Sequence, residues 1–461
     1  MPNLLANGAA ALLGRDVEAG AAAGVRQLLE TLDYVDADAA GSALNRHRAK
    51  LLEAASRFTR VFQLAAPDAP GLVCVGAEFD PGLADPLHAG SPVVGVSGVG
   101  LTLQQAFQGC IGEGIEYLSQ LQSGQDSPRP LTTPDPSAGL GPMGRDFLAT
   151  LSAYRLRHED PALSWLRVRR LSDSGEAWLP ADICLRRPAS QREIRPPFPL
   201  STGSAAGLSW EAAALHGLLE LIERDAASLW WQGGDRGGLI PPDHDAACLA
   251  RDLLPRLRQG VSTRRSWLLD ITTDIGIPCV AALSCLIDGF GLACGLSARP
   301  TLAAAARAAI LEMCQGELAQ ALVEAKARER GAAALNDKDR DHRLRATMLN
   351  ANRCELLWPV PMPREHSEHS KREHSKREHP NLSVDAGEPG AALALIVGRL
   401  AQFGIETFGL DLTRSRFAVP VARIVAPGLQ LKPSEIVTAR LADKIAQTGG
   451  GAAYTDGVAL L

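Results

Sequence analysis

The chain has 461 residues, 46% of them hydrophobic and 21% charged, with 47 basic against 52 acidic side chains and a formal charge of −5. That much apolar residue excludes a fibrous or wholly disordered chain, and the length allows two to four domains at ~150 residues each. The mild acidic excess implies no sustained basic surface, which counts against a generic nucleic-acid binder.

The opening stretch MPNLLANGAAALLGRDVEAG is mildly apolar, but no cation precedes it and Arg15 follows its apolar part, the wrong polarity for a secretory signal. No apolar run reaches the ~18–20 residues of a membrane helix. Nine cysteines are scattered with no CxxC pair. Reduced thiols, no structural zinc and a cytoplasmic setting are therefore expected.

Residues 16–57 read as helix: Val25, Leu28, Leu29 and Leu32 recur at helical spacing, and a second run covers Ala43–Ala54. Strand-like runs at 59–66 and 71–79 follow, joined by the turn signal PDAP. From about residue 91, glycine-rich loops each open an alanine-rich helix. A Pro/Gly/Ser-rich loop at 123–146 is long enough for a lid or a linker. Strand signals return at 163–171, 177–185, 266–274 and 277–286. Residues 364–379, REHSEHSKREHSKREH, contain EHSKR twice in tandem. Their histidines, His366, His369, His374 and His379, invite a metal-binding reading. The interleaved lysine and arginine oppose a bound cation, so a solvated insertion of alternating charge is expected.

An internal repeat carries the chemistry. GLTLQQAFQGCIGEGIEYL, from Gly100, and GLSWEAAALHGLLELIERD, from Gly207, match at a spacing of 107 residues, pairing Ala106 with Ala213, Glu113 with Glu220 and Glu116 with Glu223. Both follow a Gly/Ser stretch and put Thr102 or Ser209 at a helix N-cap. A third, looser copy aligned on Gly295 has Glu312 and Gln315 four residues further from its glycine. Residues at i and i+3 share a helical face. Each helix therefore aims a pair of oxygen ligands one way: Glu113/Glu116, Glu220/Glu223 and Glu312/Gln315. If the three helices converge, five carboxylates and an amide face one space, and desolvating so much uncompensated charge is prohibitive. Hard divalent cations holding a polyphosphate resolve the repulsion, since Mg2+ takes oxygen ligands and bridges phosphates. The glycine-rich openings allow close backbone approach, helix N-termini favour phosphate, and Arg224 can add a bidentate contact. One glutamate pair on an alanine-rich helix is usually only a polar face. LLELIERD, however, surrounds Glu220 and Glu223 with leucine and isoleucine, a poor face for solvent.

These residues resemble the YcaO family. STGSAAGLSWEAAALHGLLELIERDAASLWW is similar to its central segment, a glycine-rich loop leading into a helix that ends in ExxERD. The likeness continues through WLPADICL, DITTDIGIPCVAAL, GLSARPTLAAAARAAILEMCQ and FGIETFGLDLTRSRFAVPVARIVAPGLQ, and covers roughly residues 90–435. The resemblance implies an α+β YcaO-type fold, with mixed β-sheets and helices carrying ExxE and ExxQ pairs around a Mg-ATP site. It implies ATP and Mg2+ as cofactors and a ribosomal precursor peptide as substrate. Phosphorylation of a backbone amide oxygen would let Cys, Ser or Thr cyclise to azolines, as in thiazole/oxazole-modified microcins. By this carry-over Glu113, Glu116, Glu220, Glu223 and Glu312 are magnesium ligands. Arg224 and Gln315 are catalytic and contact nucleotide, and Ser201, Thr202, Gly203 and Gly207 belong to its cradle. An E1-like or TfuA-like partner protein and a homodimer are the family expectation, with no role for nucleic acid or membrane. The expected domains are 1–90 (partner docking or oligomerisation), 91–435 (catalytic, interrupted at 364–380) and a tail at 436–461.

The chain departs from the family at several points. Gly98-Val99-Gly100 stands for the usual Gly-Lys-Gly, Gly109 for a serine, Glu116-Tyr117 for Glu-Arg, and Thr202 for asparagine; the sequence ends DGVALL without a proline-rich tail. Two alternatives therefore stay open: TfuA-assisted thioamidation, and a degenerate, non-catalytic scaffold subunit. Other residues are expected to be structural. His216 reads as a core or lining residue, Cys110 and Cys314 as small core hydrophobes, and Trp230 and Trp231 as core; for the strand-end carboxylates Asp270, Asp274 and Asp411, an active-site role and turn capping fit equally well.

Overall fold

A computed structural model describes the protein over residues 2–18, 20–35, 42–124, 126, 129–130, 138–156, 163–360 and 388–460. The tandem EHSKR segment lies outside these residues. Two units divide the chain: Met1–Leu64, Val73–Leu218 and Glu406–Pro427 form the first, and Ala65–Leu72, Leu219–Ile405 and Gly428–Leu461 the second.

The first unit opens with helices α1 (Pro2–Leu12), α2 (Ala22–Thr31) and α3 (Ala43–Ser56), so the helical signal of 16–57 resolves into two of them. Ser42 caps α3, its Oγ accepting from the Asn45 N–H at 3.2 Å. An antiparallel meander follows, β1 (Arg60–Leu64), β2 (Val73–Phe79) and β3 (Val94–Gly100), and then helix α4 (Leu103–Gln120). A second antiparallel sheet runs β4-β5-β11-β12-β7, with β6 on β5. Its strands are β4 (Arg129–Pro130), β5 (Ser164–Arg170), β6 (Glu176–Pro180), β7 (Ser204–Ala206), β11 (Phe408–Asp411) and β12 (Val421–Val425). Helix α5 (Pro142–Leu151) precedes β5. The strand expected at 177–185 stops at Pro180, which has no N–H for the ladder, and Ala181–Cys184 turn into the short helix α6.

Helix α7 (Trp210–Trp231) begins in the first unit and ends in the second. The second unit continues with α8 (Asp245–Arg258) and an antiparallel sheet ordered β10-β9-β8, from β8 (Arg264–Asp270), β9 (Cys279–Leu286) and β10 (Ala293–Ala298). Helices α9 (Leu302–Arg330), α10 (Asp337–Met348), α11 (Pro389–Gln402), α12 (Ala439–Thr448) and α13 (Ala452–Thr455) complete it. Its central strand β9 is buried from Cys279 to Cys285, which is why that stretch reads as a continuous small-apolar run. A 14-residue helix, a three-strand meander and a long helix thus occur in the same order in each unit, as α3-β1-β2-β3-α4 and α8-β8-β9-β10-α9.

The repeated motif has a definite architecture: an edge strand, a turn capped by a hydroxyl, and a long helix. Thr102, Ser209 and Thr301 accept from the backbone N–H of Gln105, Ala212 and Ala304, each at 3.2 Å. The same three residues accept the first helical bonds, from Ala106, Ala213 and Ala305. Glu113, Glu220 and Glu312 each lie eleven positions past the cap. The glycine-based alignment of the third copy is therefore four residues out of register. Arg299, and not Gly295, occupies the position of Gly100 and Gly207. Gly295 serves packing instead. A Cβ there would lie 2.1 Å from the Ala309 carbonyl oxygen, so only glycine lets β10 lie this close to α9.

One ionic cluster anchors the second unit. Arg258 donates to both oxygens of Glu317 at 2.6 and 2.8 Å, Arg264 approaches to 3.3 Å, and the Glu317 side chain is 1% exposed. Removing the carboxylate strands two buried guanidiniums, so Glu317→Ala is expected to cost about 3–5 kcal/mol in urea denaturation. Glu317→Gln, which keeps an acceptor, should lose less.

Candidate functional site

Helix α7 presents Glu220 and Glu223 one turn apart, with Arg224 beside them. In the second unit, Arg224 Nη2 lies 3.5 Å from Glu220 Oε1 and 3.6 Å from Glu223 Oε1, longer than a good hydrogen bond. Its Nε is buried without a hydrogen-bond partner. Glu312, from α9, accepts the Leu296 N–H at 3.0 Å, and Gln315 follows one turn later, half-buried. Burial pushes the Glu223 carboxyl up to about 8; Arg224 opposes the shift, Glu312 and Glu220 reinforce it, and Arg299 opposes it. Burial raises the Glu312 carboxyl too, against Arg224, the Leu296 N–H and Arg299. The second unit thus brings Glu220, Glu223, Glu312 and Arg224 into one electrostatic group. Asp225 has the opposite role, being fully buried, bound to Arg440 at 2.9 Å and accepting the Gln430 N–H at 2.8 Å.

In the first unit, the exposed Glu113 accepts the Ser97 N–H at 3.3 Å, a strand-to-carboxylate bond with the same sixteen-residue spacing as Leu296 to Glu312. Glu116 accepts from Gln120 Nε2 at 3.2 Å, and Gln120 Oε1 in turn accepts from Arg186 Nε at 2.8 Å. Tyr117, which stands where the family has arginine, packs on Phe79 and lies under the Arg186 guanidinium at 4.8 Å. A cation thus reaches the neighbourhood of Glu116 from residue 186, a distance along the chain that no local motif reveals.

The glycine-rich loop is held from β12. Ser201 is exposed and Thr202 buried; Gly203 has φ +87, and its carbonyl accepts the Ile424 N–H at 2.6 Å. Arg423 donates to the carbonyls of Leu200 and Thr202, and Gly207 N–H donates to the Pro420 carbonyl at 3.0 Å. Sequence reading missed Arg186, Arg299, Arg423 and the Asp225–Arg440 pair, because each acts on a segment far away in sequence. His216 is exposed, contrary to expectation. Trp230 and Trp231 are buried as expected, their indole N–H groups on the Leu356 and Val458 carbonyls. Asp270 and Asp411 cap turns, whereas Asp274 bonds Arg440 at 2.7 Å.

Among the described residues, no three or more His, Cys, Asp and Glu side chains are grouped closely enough to hold a metal ion. Carboxylate oxygens such as those of Glu220, Glu223 and Glu312 are the donor type that a hard cation such as Mg2+ takes, with the rest of its shell left to oxygens from outside the protein. The unpartnered Arg224 Nε suits the accompanying anion. No helix of the described residues is long and apolar enough to cross a membrane.

A family model described as YcaO cyclodehydratase, ATP- and Mg2+-binding, matches residues 97–430. An uncharacterized protein of Methanothermobacter thermautotrophicus is 25% identical over an alignment of 354 positions that covers 73% of this chain and 81% of that one. A solved heterocyclase in complex with substrate and cofactor superposes with a TM-score of 0.65 at 21% identity, covering 88% of this chain and 55% of its own. The chain therefore spans about half the length of that heterocyclase. YcaO from Methanopyrus kandleri, bound with AMPPCP and Mg2+, gives a TM-score of 0.55 at 17% identity, covering 87% of this chain and 90% of its own. At these identities the likeness to the solved structures is one of fold, a mixture of helices and antiparallel sheets.

The raised Glu223 carboxyl has a consequence for stability. A folded-state value above the ordinary 4.5 means that stability falls as pH rises from about 4.5 towards 8, where the folded group finally ionises. Glu223→Gln is expected to gain on the natural protein through that interval and to match it below it. In thermal melts at pH 8 the gain should be about 2–4 °C for each kcal/mol relieved.

Proposed function

Because the chain belongs to the YcaO family, we propose that it uses ATP and Mg2+ to activate backbone amides of a ribosomally synthesised precursor peptide, cyclising Cys, Ser or Thr to azolines. The observation that carries this reading is the desolvation of Glu223 and Glu312, with Glu220 at their side, next to Arg224, whose buried Nε lacks a partner. In this proposal Glu113, Glu116, Glu220, Glu223 and Glu312 hold magnesium. Arg224, Gln315 and the loop residues Ser201, Thr202, Gly203 and Gly207 bind the nucleotide. When bound, Mg-ATP supplies the phosphoryl group that turns an amide oxygen into a leaving group. Glu223 and Glu312, kept from water, gain a counter-charge that burial otherwise denies them. Arg224 can exchange its two long carboxylate contacts for a phosphate, to which a guanidinium offers two parallel donors. Arg423 fixes the loop carbonyls at 200 and 202 so that the loop keeps its shape. A cytoplasmic homodimer, served by an E1-like or TfuA-like protein that delivers the peptide, completes the proposal.

Val99, in place of a phosphate-contacting lysine, favours a second reading, a non-catalytic scaffold subunit of a modification complex. Purified protein, its partner and a Cys/Ser/Thr-rich peptide encoded nearby decide between them. Cyclodehydration removes ~18 Da per ring and thioamidation adds ~16 Da, as the elemental compositions under amide activation require. An unmodified peptide with no peptide-dependent ATP consumption would leave only the scaffold. Glu223→Ala is expected to abolish turnover while its circular dichroism and melting stay those of a folded protein, because it removes a repelled carboxylate.

A further inference from the structure

We propose that Arg299 is a phosphate-binding residue of this site, a cation at a position where the other two copies of the motif carry glycine. The inference rests on the Mg-ATP reading above and adds a residue to it.

The backbone carries the first part of the argument. Arg299 lies two residues before the capping Thr301, as Gly100 and Gly207 lie two before Thr102 and Ser209. Its N–H donates to the carbonyl of Pro278, immediately before β9, at 3.1 Å. The Gly207 N–H makes the corresponding bond, at 3.0 Å, to Pro420, immediately before β12. The turn is therefore the same turn, anchored to the same place on the neighbouring strand. A side chain there starts at the mouth of a hydroxyl-capped helix N-terminus, on the motif that carries the acidic face.

Electrostatics carries the second part. Arg299 and Arg224 are the two cations whose charge reaches both Glu223 and Glu312. Among the described residues, however, Arg299 forms no ion pair, and its side chain makes one hydrogen bond, from Nη1 to its neighbour's carbonyl at Ala298, 2.7 Å away. A structural guanidinium in this unit looks different: Arg258 and Arg440 each bind carboxylates with two or more donors. Arg299 is half-buried, close enough to feel the acidic face, and keeps most of its five donors uncommitted. An oxyanion carried by a cation on that face would engage them. Along the chain, the basic residue absent at Val99 is thus matched by one gained at residue 299.

The test is calorimetric binding of AMPPCP, ADP, AMP and adenosine with Mg2+ to the whole protein, for the natural chain and for Arg299→Gly and Arg299→Lys. Arg299→Gly restores the residue that this turn accepts in the other copies. Loss of charged hydrogen bonds is expected to weaken AMPPCP by about 10-fold to 100-fold. The loss should shrink as phosphates are removed and vanish for adenosine, and Arg299→Lys should recover part of it. Equal affinity for AMPPCP in Arg299→Gly overturns this inference alone, as does a loss of equal size for adenosine, the mark of a structural role. Failure of the natural protein to bind any of the nucleotides overturns both this inference and the function on which it rests.

Discussion

The constraint on which the second unit's acidic face depends is the crowding of carboxylates whose charge burial penalises. Glu223 and Glu312 sit where burial alone would keep them protonated, and the two arginines near them stop short of neutralising them at contact distance. In water such a group would cost nothing; in an apolar setting every unit of charge must find a partner or lose its ionisation. A protein meant only to be stable would replace these residues with leucine, as it has done around them at Leu218, Leu219 and Leu221. In the proposed function, the charge of a bound cation offsets that unfavourable placement.

The scaffold that permits this crowding is built by repetition. An edge strand ends, a hydroxyl caps the next helix, and a strand N–H reaches the first glutamate of the pair in both the α4 and α9 copies. Around two of the copies the larger order of helix, meander and helix is duplicated as well. The duplicates have diverged where packing allows. Glu317, the ionic anchor of the second unit, occupies the repeat position of Leu118, a plain core residue of the first.

Much of this was legible in the sequence, and the exceptions follow a pattern. Helices and strands with clean periodicity emerged where expected, as did the Thr102 and Ser209 caps and the buried tryptophans. The third copy is legible as well, but four residues out of register when its glycine is the fixed point. Gly295 is a packing glycine against α9, whereas the turn itself is defined by the cap at Thr301. The break at Pro180 is a local rule that an apolar run masked. Arg186, Arg423 and Arg440 were invisible for a different reason. Each acts across tens to hundreds of positions, on Gln120, Thr202 and Asp225 in turn, and single-chain patterns carry no record of such pairings.

The last letter of the ExxERD signature points away from the chemistry. Asp225 follows Glu223 by two positions, roughly 200° around the helix axis, and is clamped there by Arg440 and the Gln430 amide. That clamp works as a torsional brake. It acts together with the buried Leu219, Leu221, Trp230 and Trp231 in holding the helix's rotation about its axis. A lesion at residue 440, more than two hundred positions along the chain, would strand the buried Asp225 without its cation and loosen that hold.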